Sequence, residues 1–219
     1  PEMKTIWSDS HLIECWLTFE TTLAAVQAEL EIIPEQAALD IATACQTLVP
    51  EWERLSTESR LVGMPVKPLI DQIADAGSEL VKKYLHWGST TQDLLDSGLA
   101  MRLKQSLQLL RRQLVQLGEL LKQMASQHRN TVMVARTNAV DASATSWGLQ
   151  VSSYLAELTR HIYRLANLYP VAITGMYGGA VGHLSSCGAG GIEVRNRLME
   201  RLGLTCPSGM LNASQDHVA

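Results

Sequence analysis

One very long helix is predicted by the segment LLDSGLAMRLKQSLQLLRRQLVQLGELLKQMASQ, which runs from Leu94 to Gln127 and contains no proline. Its apolar residues recur at alternating steps of four and three, a spacing typical of the seam along which one long helix packs against others. The fold is therefore predicted to be built on packed long helices. The seam residues are Leu103, Leu107, Leu110, Leu114, Leu117, Leu121 and Met124.

Shorter helices are predicted before the long one. In Asp9–Glu31, apolar side chains repeat at helical spacing between a Ser-Asp start and Pro34. Each of the following helices begins at or next to a proline, where the missing N–H costs nothing. We expect residues 1–87 to form an N-terminal helical domain. The other helices predicted in it are Pro34–Leu48, Pro50–Leu61 and Val66–Tyr84.

The chain after the long helix is also predicted to be helical. A second long helix repeats the four-three seam, and Pro170 is expected to stop it. No segment alternates with period two over a convincing strand length, so the predicted fold class is all-α, with residues 88–219 forming an incomplete long-helix bundle. The predicted segments are a loop at Asn130–Asp141, a helix at Ala142–Leu168, a glycine-rich connection at Thr174–Gly191 and a helix at Ile192–Leu202.

The composition is that of a globular chain without the features of nucleic-acid or membrane binding. The 219 residues are 46% hydrophobic and carry a formal net charge of −4, with basic residues scattered among acidic ones. There is no basic stripe for a phosphate backbone, no polybasic patch for a membrane surface and no apolar run of about 20 residues. We therefore expect neither a nucleic-acid partner nor a membrane.

The cysteines indicate neither a metal site nor a redox site. All four are far apart in the sequence, and none forms a Cys-x-x-Cys pair. Reduced thiols are typical of the cytoplasm, which we predict as the location. The cysteines are Cys15, Cys45, Cys187 and Cys206.

A cluster of polar side chains stands at the start of the long helix, in HWGSTTQD from His86 to Asp93. Its Gly-Ser-Thr-Thr turn presents backbone N–H groups and the hydroxyls of Ser89, Thr90 and Thr91 at the positive end of the helix. Such a turn can hold a carboxylate, but the hydroxyls can also serve only as N-caps, which spacing alone favours. Taken alone, His86 is compatible with acid–base chemistry or with a structural, hydrogen-bonded histidine.

Two more segments, Gly63–Lys67 and Arg136–Ser146, are dense in small polar groups. If the two long helices pack antiparallel, about 34 residues at ~1.5 Å each place the loop at Arg136 roughly 50 Å from His86. The segments are then either unrelated or brought together between subunits of a symmetric oligomer.

Four segments resemble, in the same order, segments of the fumarase/aspartase superfamily. HWGSTTQD is similar to the HWGATSQD-type signature of bacterial 3-carboxy-cis,cis-muconate cycloisomerases and the HYGLTSTD-type signature of adenylosuccinate lyases. Ile6–Pro34 resembles their opening helix. ARTNAVDASATSWG, from Ala135 to Gly148, resembles a second signature near GRTHxQxAxPxTxG, and YGGAVGHLSSCG, from Tyr177 to Gly188, resembles an FGGAAGTLAS-like segment. A GSSxMPxKxNP loop is missing and both ends look cut, so we expect an N-terminal fragment of a longer enzyme.

The resemblance implies a homotetramer around a central bundle of long helices, with each active site shared between subunits. It also implies a small polycarboxylate substrate, which loses a proton beside a carboxylate to give an aci-carboxylate dianion and then expels a leaving group from the neighbouring carbon. No metal or organic cofactor is implied. The function most similar is that of 3-carboxy-cis,cis-muconate cycloisomerase. An adenylosuccinate lyase-like or aspartase-like C–N lyase and a non-catalytic helical scaffold are the alternatives.

The resemblance carries residue roles onto this sequence. His86 would act in substrate binding or acid–base support, and Asn138 stands at the other catalytic position. Thr90 and Thr91 would help to hold a substrate carboxylate, while the two residues after them orient their loop. The substrate-binding candidates are Ser89, Thr90, Thr91, Gln92, Asp93, Arg136, Thr137 and Asp141.

Three positions depart from the family pattern. Asn138 replaces a histidine linked in many members to protonation of the leaving group, and an amide cannot transfer a proton near neutral pH. Aspartases also carry an amide there, so Asn138 is compatible with a leaving group that needs no strong acid. Met64 replaces another common histidine. Ser214–His217 resembles a changed QRDR-type segment, in which an arginine would pair with an anionic substrate.

Overall fold

The computed structural model describes residues 2–207 and is helical apart from one small sheet. The predicted all-α class is confirmed. The α-helices are α1 (Glu2–Ile6), α2 (Asp9–Glu29), α3 (Glu35–Thr47), α4 (Trp52–Val62), α5 (Val66–Ala76), α6 (Glu79–Tyr84), α7 (Thr91–Gln127), α8 (Trp147–Ala172) and α9 (Gly191–Leu202). The strands are β1 (Val132–Thr137) and β2 (Val140–Ser146), and a short 3-10 helix covers Ser185–Gly190.

The chain divides into two compact units. Within residues 2–207, the first unit comprises the chain up to Lys104 and from Pro170 onward, and the second comprises Gln105–Tyr169. The predicted division into domains at residues 1–87 and 88–219 stays a prediction.

Helix α2 forms the centre of the first unit. The Ser8 hydroxyl caps it by accepting the N–H of His11 at 3.2 Å, which agrees with the predicted Ser-Asp start. Its apolar stripe, including Trp16, Phe19 and Leu23, is fully buried and packs against α3 and α9. The aromatic residues of this stripe therefore serve the core.

The predicted helix Val66–Tyr84 is wrong in one respect, because the structure breaks it into α5 and α6. The break lies at Gly77, whose backbone is extended, and α6 begins at Glu79, directly after Ser78. A Cβ on Gly77 would lie 2.5 Å from the Cβ of Val81, so the chain turns back more closely there than another side chain would allow. The Ser78 hydroxyl donates to Asp40 of α3 at 2.5 Å, which ties the start of α6 to α3.

In the second unit, a hairpin replaces the predicted loop at Asn130–Asp141 and the predicted start of a helix at Ala142. Strands β1 and β2 pair antiparallel, from Val132 opposite Ser146 to Thr137 opposite Val140. Asn138 and Ala139 form the turn with φ of 50° and 63°, a left-handed conformation at both positions that is typical of tight hairpins. The expectation that no strand would form was therefore wrong.

Helix α8 starts beside the end of α7 and continues past Pro170. The N–H of Gly148 donates to the carbonyl of His128 at 2.9 Å, and a Cβ on Gly148 would lie 2.5 Å from the carbonyl oxygen of Ala125. Pro170 was expected to stop this helix, but it lies inside its last turn and the helix ends at Ala172. A proline near a helix end removes only one backbone hydrogen bond, so the remaining turn can persist.

None of the described helices is both long enough and apolar enough to cross a membrane.

Candidate active site

The buried carboxylate of Asp93 fixes the turn that opens α7. Its Oδ2 accepts the N–H of Thr90 at 3.0 Å and the hydroxyl of Ser89 at 3.4 Å. The same carboxylate accepts the N–H groups of Gly178 and Gly179, both at 3.0 Å. Asp93 thus joins the first signature to the glycine-rich segment.

The electrostatics of Asp93 reflect a balance between burial and these donors. The side chain is 0% exposed. Burial raises the pKa of the carboxyl, whereas the three backbone N–H groups and the nearby His86 lower it, and the net pKa lies above the ordinary value. Backbone donors rather than a cation therefore satisfy this group.

Glycine is required where the two segments meet. Gly179 has a φ of 73°, and a Cβ there would lie 2.8 Å from the carbonyl oxygen of Gly88. Gly88 itself has a φ of 70°, and its own Cβ would lie 3.1 Å from the Tyr177 hydroxyl. At both positions, glycine therefore lets the two turns approach each other more closely than another residue would.

His86 is held by a buried glutamate from α2. Its Nδ1 donates to Oε1 of Glu20 at 2.5 Å, and its backbone N–H donates to Oε2 of the same carboxylate at 3.2 Å. The Glu20 side chain is 1% exposed and the His86 side chain is 18% exposed. The second ring nitrogen, Nε2, makes no hydrogen bond within residues 2–207.

Two opposing effects act on the His86 imidazole. Burial lowers its pKa, but the Glu20 carboxylate raises it through both charge and hydrogen bond, with a further contribution from Asp93. The net result is a pKa above the ordinary value for histidine. When His86 is protonated, Nε2 carries a hydrogen that can be donated to an anion.

The three hydroxyls at the start of α7 do not act as side-chain caps. Ser89 donates to Asp93, and Thr91 donates to the thioether sulfur of Met64 at 3.4 Å. The hydroxyl of Thr90 makes no hydrogen bond in the part of the chain that the structure describes. The hydroxyls therefore do not cap the backbone N–H groups of α7, as the N-cap alternative would require. Their role in holding a carboxylate stays a prediction.

Gln92 bonds along the helix rather than across the turn. Its side-chain amide donates to Oδ1 of Asp96, one turn further along α7, at 2.6 Å. Among the two residues expected to orient the loop, only Asp93 contacts the turn itself through the hydrogen bonds described above. The binding role assigned to Gln92 stays a prediction.

Buried polar side chains also bind the backbone next to His86. Gln27 of α2 donates its amide to the carbonyl of Trp87 at 2.7 Å and to the Tyr177 hydroxyl at 3.1 Å. The same hydroxyl lies 3.0 Å from the sulfur of Cys187. Burial raises the pKa of Tyr177, so this phenol stays protonated and serves as a structural donor.

The second group of predicted site residues lies on the hairpin of the second unit. Arg136 donates from Nε to Oδ1 of Asp141 at 2.9 Å, and both side chains are exposed. Thr137 and Asn138 are also exposed, at the end of β1 and in the turn. The structure thus brings these four residues together, in a different unit from His86 and the start of α7.

The QRDR-like segment and metal binding concern parts of the chain outside these two groups of residues. Ser214–His217 lies outside the described residues. No group of three or more His, Cys, Asp or Glu side chains within residues 2–207 is arranged to hold a metal ion.

Comparison with known proteins identifies the family. A family model described as "Lyase" matches residues 1–218. The chain belongs to this family, within the fumarase/aspartase superfamily. The predicted resemblance is confirmed, and the chain is of the lyase type.

Individual members of the lyase family are similar over nearly the whole chain. Trans-aconitate decarboxylase 1 from Mycosarcoma maydis is 37% identical, over 93% of this chain and 41% of the relative. The 3-carboxy-cis,cis-muconate cycloisomerase of Pseudomonas aeruginosa is 32% identical, over 99% of this chain and 48% of the relative. The crystal structure of fumarate lyase from Mesorhizobium sp. BNC1 superposes with a TM-score of 0.93 at 34% identity, covering 99% of this chain and 51% of that one. The chain thus spans about half the length of these lyases.

Sequence reasoning missed the buried residues that support the lyase signature, namely Glu20, Gln27 and Tyr177. Glu20 and Gln27 lie on the core-facing side of α2 together with Trp16 and Phe19. A glutamate on an otherwise apolar face is rarely buried without a partner, and this signal could have pointed to Glu20. Nothing in the sequence names His86 as that partner, because 66 positions separate the two residues.

Proposed function

We propose that the complete protein acts on a small polycarboxylate by removing a proton beside a carboxylate and eliminating a group from the neighbouring carbon, or by the reverse addition. The reaction is most like that of a 3-carboxy-cis,cis-muconate cycloisomerase. The observation that carries the proposal is the start of α7, where buried Asp93 fixes the backbone while His86 Nε2 and the Thr90 hydroxyl remain available to a ligand.

The arrangement suits an anion whose charge grows during the reaction. Proton removal turns a carboxylate into an aci-carboxylate dianion, so donors that are already in place favour the transition state over the ground state. The positive end of a 37-residue helix and a protonated His86 would supply such donors. Thr90 and Thr91 would contribute hydroxyls. None of the residues that the structure describes is proposed as the base that removes the proton.

The names of the relatives support a substrate with several carboxylates. Trans-aconitate and 3-carboxy-cis,cis-muconate, named in two of them, are both tricarboxylates. The two reactions differ, since one relative is named a decarboxylase and the other a cycloisomerase. A polycarboxylate is therefore the substrate class we propose, and the leaving group is what an assay must identify.

One observation favours a second candidate, a C–N lyase of the adenylosuccinate or aspartase type. Asn138 is exposed in the hairpin turn and carries an amide, which cannot protonate a leaving group near neutral pH. An amine leaving group that departs with a proton from water would need no such acid. A non-catalytic scaffold is the third candidate, because Asn138 and Met64 both replace histidines of the family pattern.

We also propose a homotetramer with active sites shared between subunits. The two groups of candidate residues belong to different units of the chain, which supports sharing. Helices α7 and α8 expose apolar side chains, including Leu117, Leu120 and Tyr163, which supports burial against further copies.

The test is an assay of the complete protein with trans-aconitate, 3-carboxy-cis,cis-muconate, adenylosuccinate and aspartate, followed by the change in double-bond absorbance and by NMR of the products. We expect turnover of at least one polycarboxylate and its loss in His86→Ala. Thr43→Ala is a suitable control, since this exposed hydroxyl bonds only within α3. Release of an amine would favour the C–N lyase, and failure to bind any of the four compounds would favour the scaffold.

A further inference from the structure

We propose that Glu20 is a positioning residue that fixes the His86 imidazole with Nδ1 inward and Nε2 toward the ligand, and so makes Nε2 the atom that donates to a substrate carboxylate. The role of Glu20 in holding His86 stands on the geometry alone. The part that concerns the substrate rests on the proposed function.

The contacts of Glu20 constrain both the backbone and the ring of His86. One carboxylate oxygen accepts the backbone N–H at 3.2 Å, and the other accepts the Nδ1 hydrogen at 2.5 Å. His86 has a φ of 59°, a left-handed conformation that residues other than glycine rarely adopt. Histidine adopts this conformation more readily than most residues, and the hydrogen bond from its backbone N–H to Glu20 helps to hold it there.

The hydrogen bond to Glu20 also determines which ring nitrogen of His86 is protonated and deprotonated as the pH changes. An ionised carboxylate only accepts hydrogen bonds, so Nδ1 must keep its hydrogen in both the neutral and the charged ring. Nε2 is then the atom that gains or loses a proton. It makes no hydrogen bond within residues 2–207, and the ring is 18% exposed, so a ligand can reach it.

The charge of Glu20 favours the form in which Nε2 carries hydrogen. The charged groups that act on the imidazole are Glu20 on α2 and Asp93 on α7, both of which raise its pKa against the effect of burial. The carboxylate of Glu20 is buried, so its effect is weakly screened by salt. Below the raised pKa, Nε2–H can donate to a carboxylate, and above it Nε2 becomes an acceptor that repels one.

The experiment compares Glu20→Gln with the unchanged complete protein. Glutamine keeps an oxygen that can accept the Nδ1 hydrogen, but it removes the charge and one of the two acceptors. We expect the His86 titration, followed by NMR on protein with ¹³C- and ¹⁵N-labelled histidine, to move to lower pH. The His86 signal is assigned by its absence from His86→Gln.

Kinetics provide a second readout that a merely structural role would not give. Because binding needs Nε2–H, the KM of Glu20→Gln for the polycarboxylate should rise severalfold at a pH where His86 is charged only in the unchanged protein. Activity should recover as the pH is lowered, with kcat less affected than KM. Glu14→Gln is the matched control, since Glu14 on the same helix accepts from His11 Nδ1 at 2.8 Å but is exposed.

Several outcomes would overturn the proposal. One is a neutral His86 in the unchanged protein that carries its hydrogen on Nε2, which tests the proposal even if Glu20→Gln fails to fold. Another is an unshifted titration in Glu20→Gln, or a KM change that matches that of Glu14→Gln. An unshifted titration with turnover intact would refute the role of Glu20 alone. The expected titration in a protein that turns over no polycarboxylate would support the hold on His86 and refute the proposed function.

Discussion

Two carboxylates are buried beside the turn that precedes α7, and different groups offset the cost of burying each charge. Asp93 is satisfied by backbone N–H groups and the Ser89 hydroxyl, whereas Glu20 faces the imidazole of His86. A buried charge without such partners would cost several kcal/mol, on the order estimated for effective desolvation of an ion. The first carboxylate therefore fixes backbone shape, and the second controls a side chain that can change its charge.

At the residue scale, Thr91→Ala in the complete protein should reduce kcat/KM on the tested polycarboxylate. If this hydroxyl donates to the developing dianion, its loss should cost on the order of 2–4 kcal/mol of transition-state stabilisation, or about 30- to 1,000-fold. Steady-state kinetics beside Thr43→Ala measure this. An unchanged kcat/KM would show that the contact with Met64 at 3.4 Å is all that the hydroxyl makes.

Asn138→His tests whether the amide in the hairpin turn limits the reaction. Histidine tolerates the left-handed conformation found there better than most residues do, so the turn should form. A positioned general acid typically contributes about 10²- to 10⁴-fold, and we expect a gain in kcat of roughly tenfold or more where the leaving group needs a proton. Asn138→Gln, which cannot transfer a proton, is the control. A loss of activity in Asn138→His would mean that the reaction is adapted to the amide.

At the element scale, Gly98 and Gly118 on α7 offer a matched pair. A Cβ on Gly98 would lie 2.6 Å from Nε1 of buried Trp16, whereas on Gly118 its nearest neighbour would be Leu158 at 3.6 Å, an ordinary contact. Gly98→Ala should therefore destabilise the protein by about 1–3 kcal/mol despite the better helix propensity of alanine. Gly118→Ala should be neutral or stabilising by up to about 1 kcal/mol. Thermal unfolding of both variants decides this, and an equal shift in the two would contradict it.

The helices could be predicted because their apolar residues recur with helical period. The bounds of α2, α3 and α9 fall within two residues of those expected. The hairpin was missed although β2 alternates apolar and polar residues from Val140 to Thr145, because the first four residues of β1 are all apolar and most of both strands is exposed. Its turn is Asn-Ala rather than the Asn-Gly that signals a tight hairpin.

The candidate site was predictable only where its residues are adjacent in sequence. The signature from His86 to Asp93 could be found because helix-start chemistry and the family resemblance coincide there. Its supports come from α2 and from the glycine-rich segment, at separations of 66 residues for Glu20 and 85 for Gly178. Such pairs arise from tertiary packing, so the pattern of residues along one sequence does not indicate them.

At the scale of the whole molecule, the chain carries its candidate residues in two units, His86 with Thr91 in one and Arg136 with Asn138 in the other. If each active site takes its first signature from one subunit and its second from another, then two inactive variants can restore a site in a mixed oligomer. A site that takes its first segment from the Arg136→Ala chain and its second from the His86→Ala chain carries neither change, whereas the opposite combination carries both.

Mixing His86→Ala with Arg136→Ala should therefore recover a measurable fraction of activity once subunits exchange, for example after mild denaturation and refolding together. Mixing His86→Ala with Thr91→Ala should recover none, because both changes affect the same segment and every site carries one of them. Light scattering on the complete protein should give the mass of four copies, and Leu120→Glu should lower it, since this leucine is 61% exposed on α7. Leu61→Glu, on α4, should leave the mass unchanged. No recovery in either mixture after subunit exchange would place each site within a single subunit, and equal recovery in both would show that His86 and Thr91 do not reach a site from the same chain.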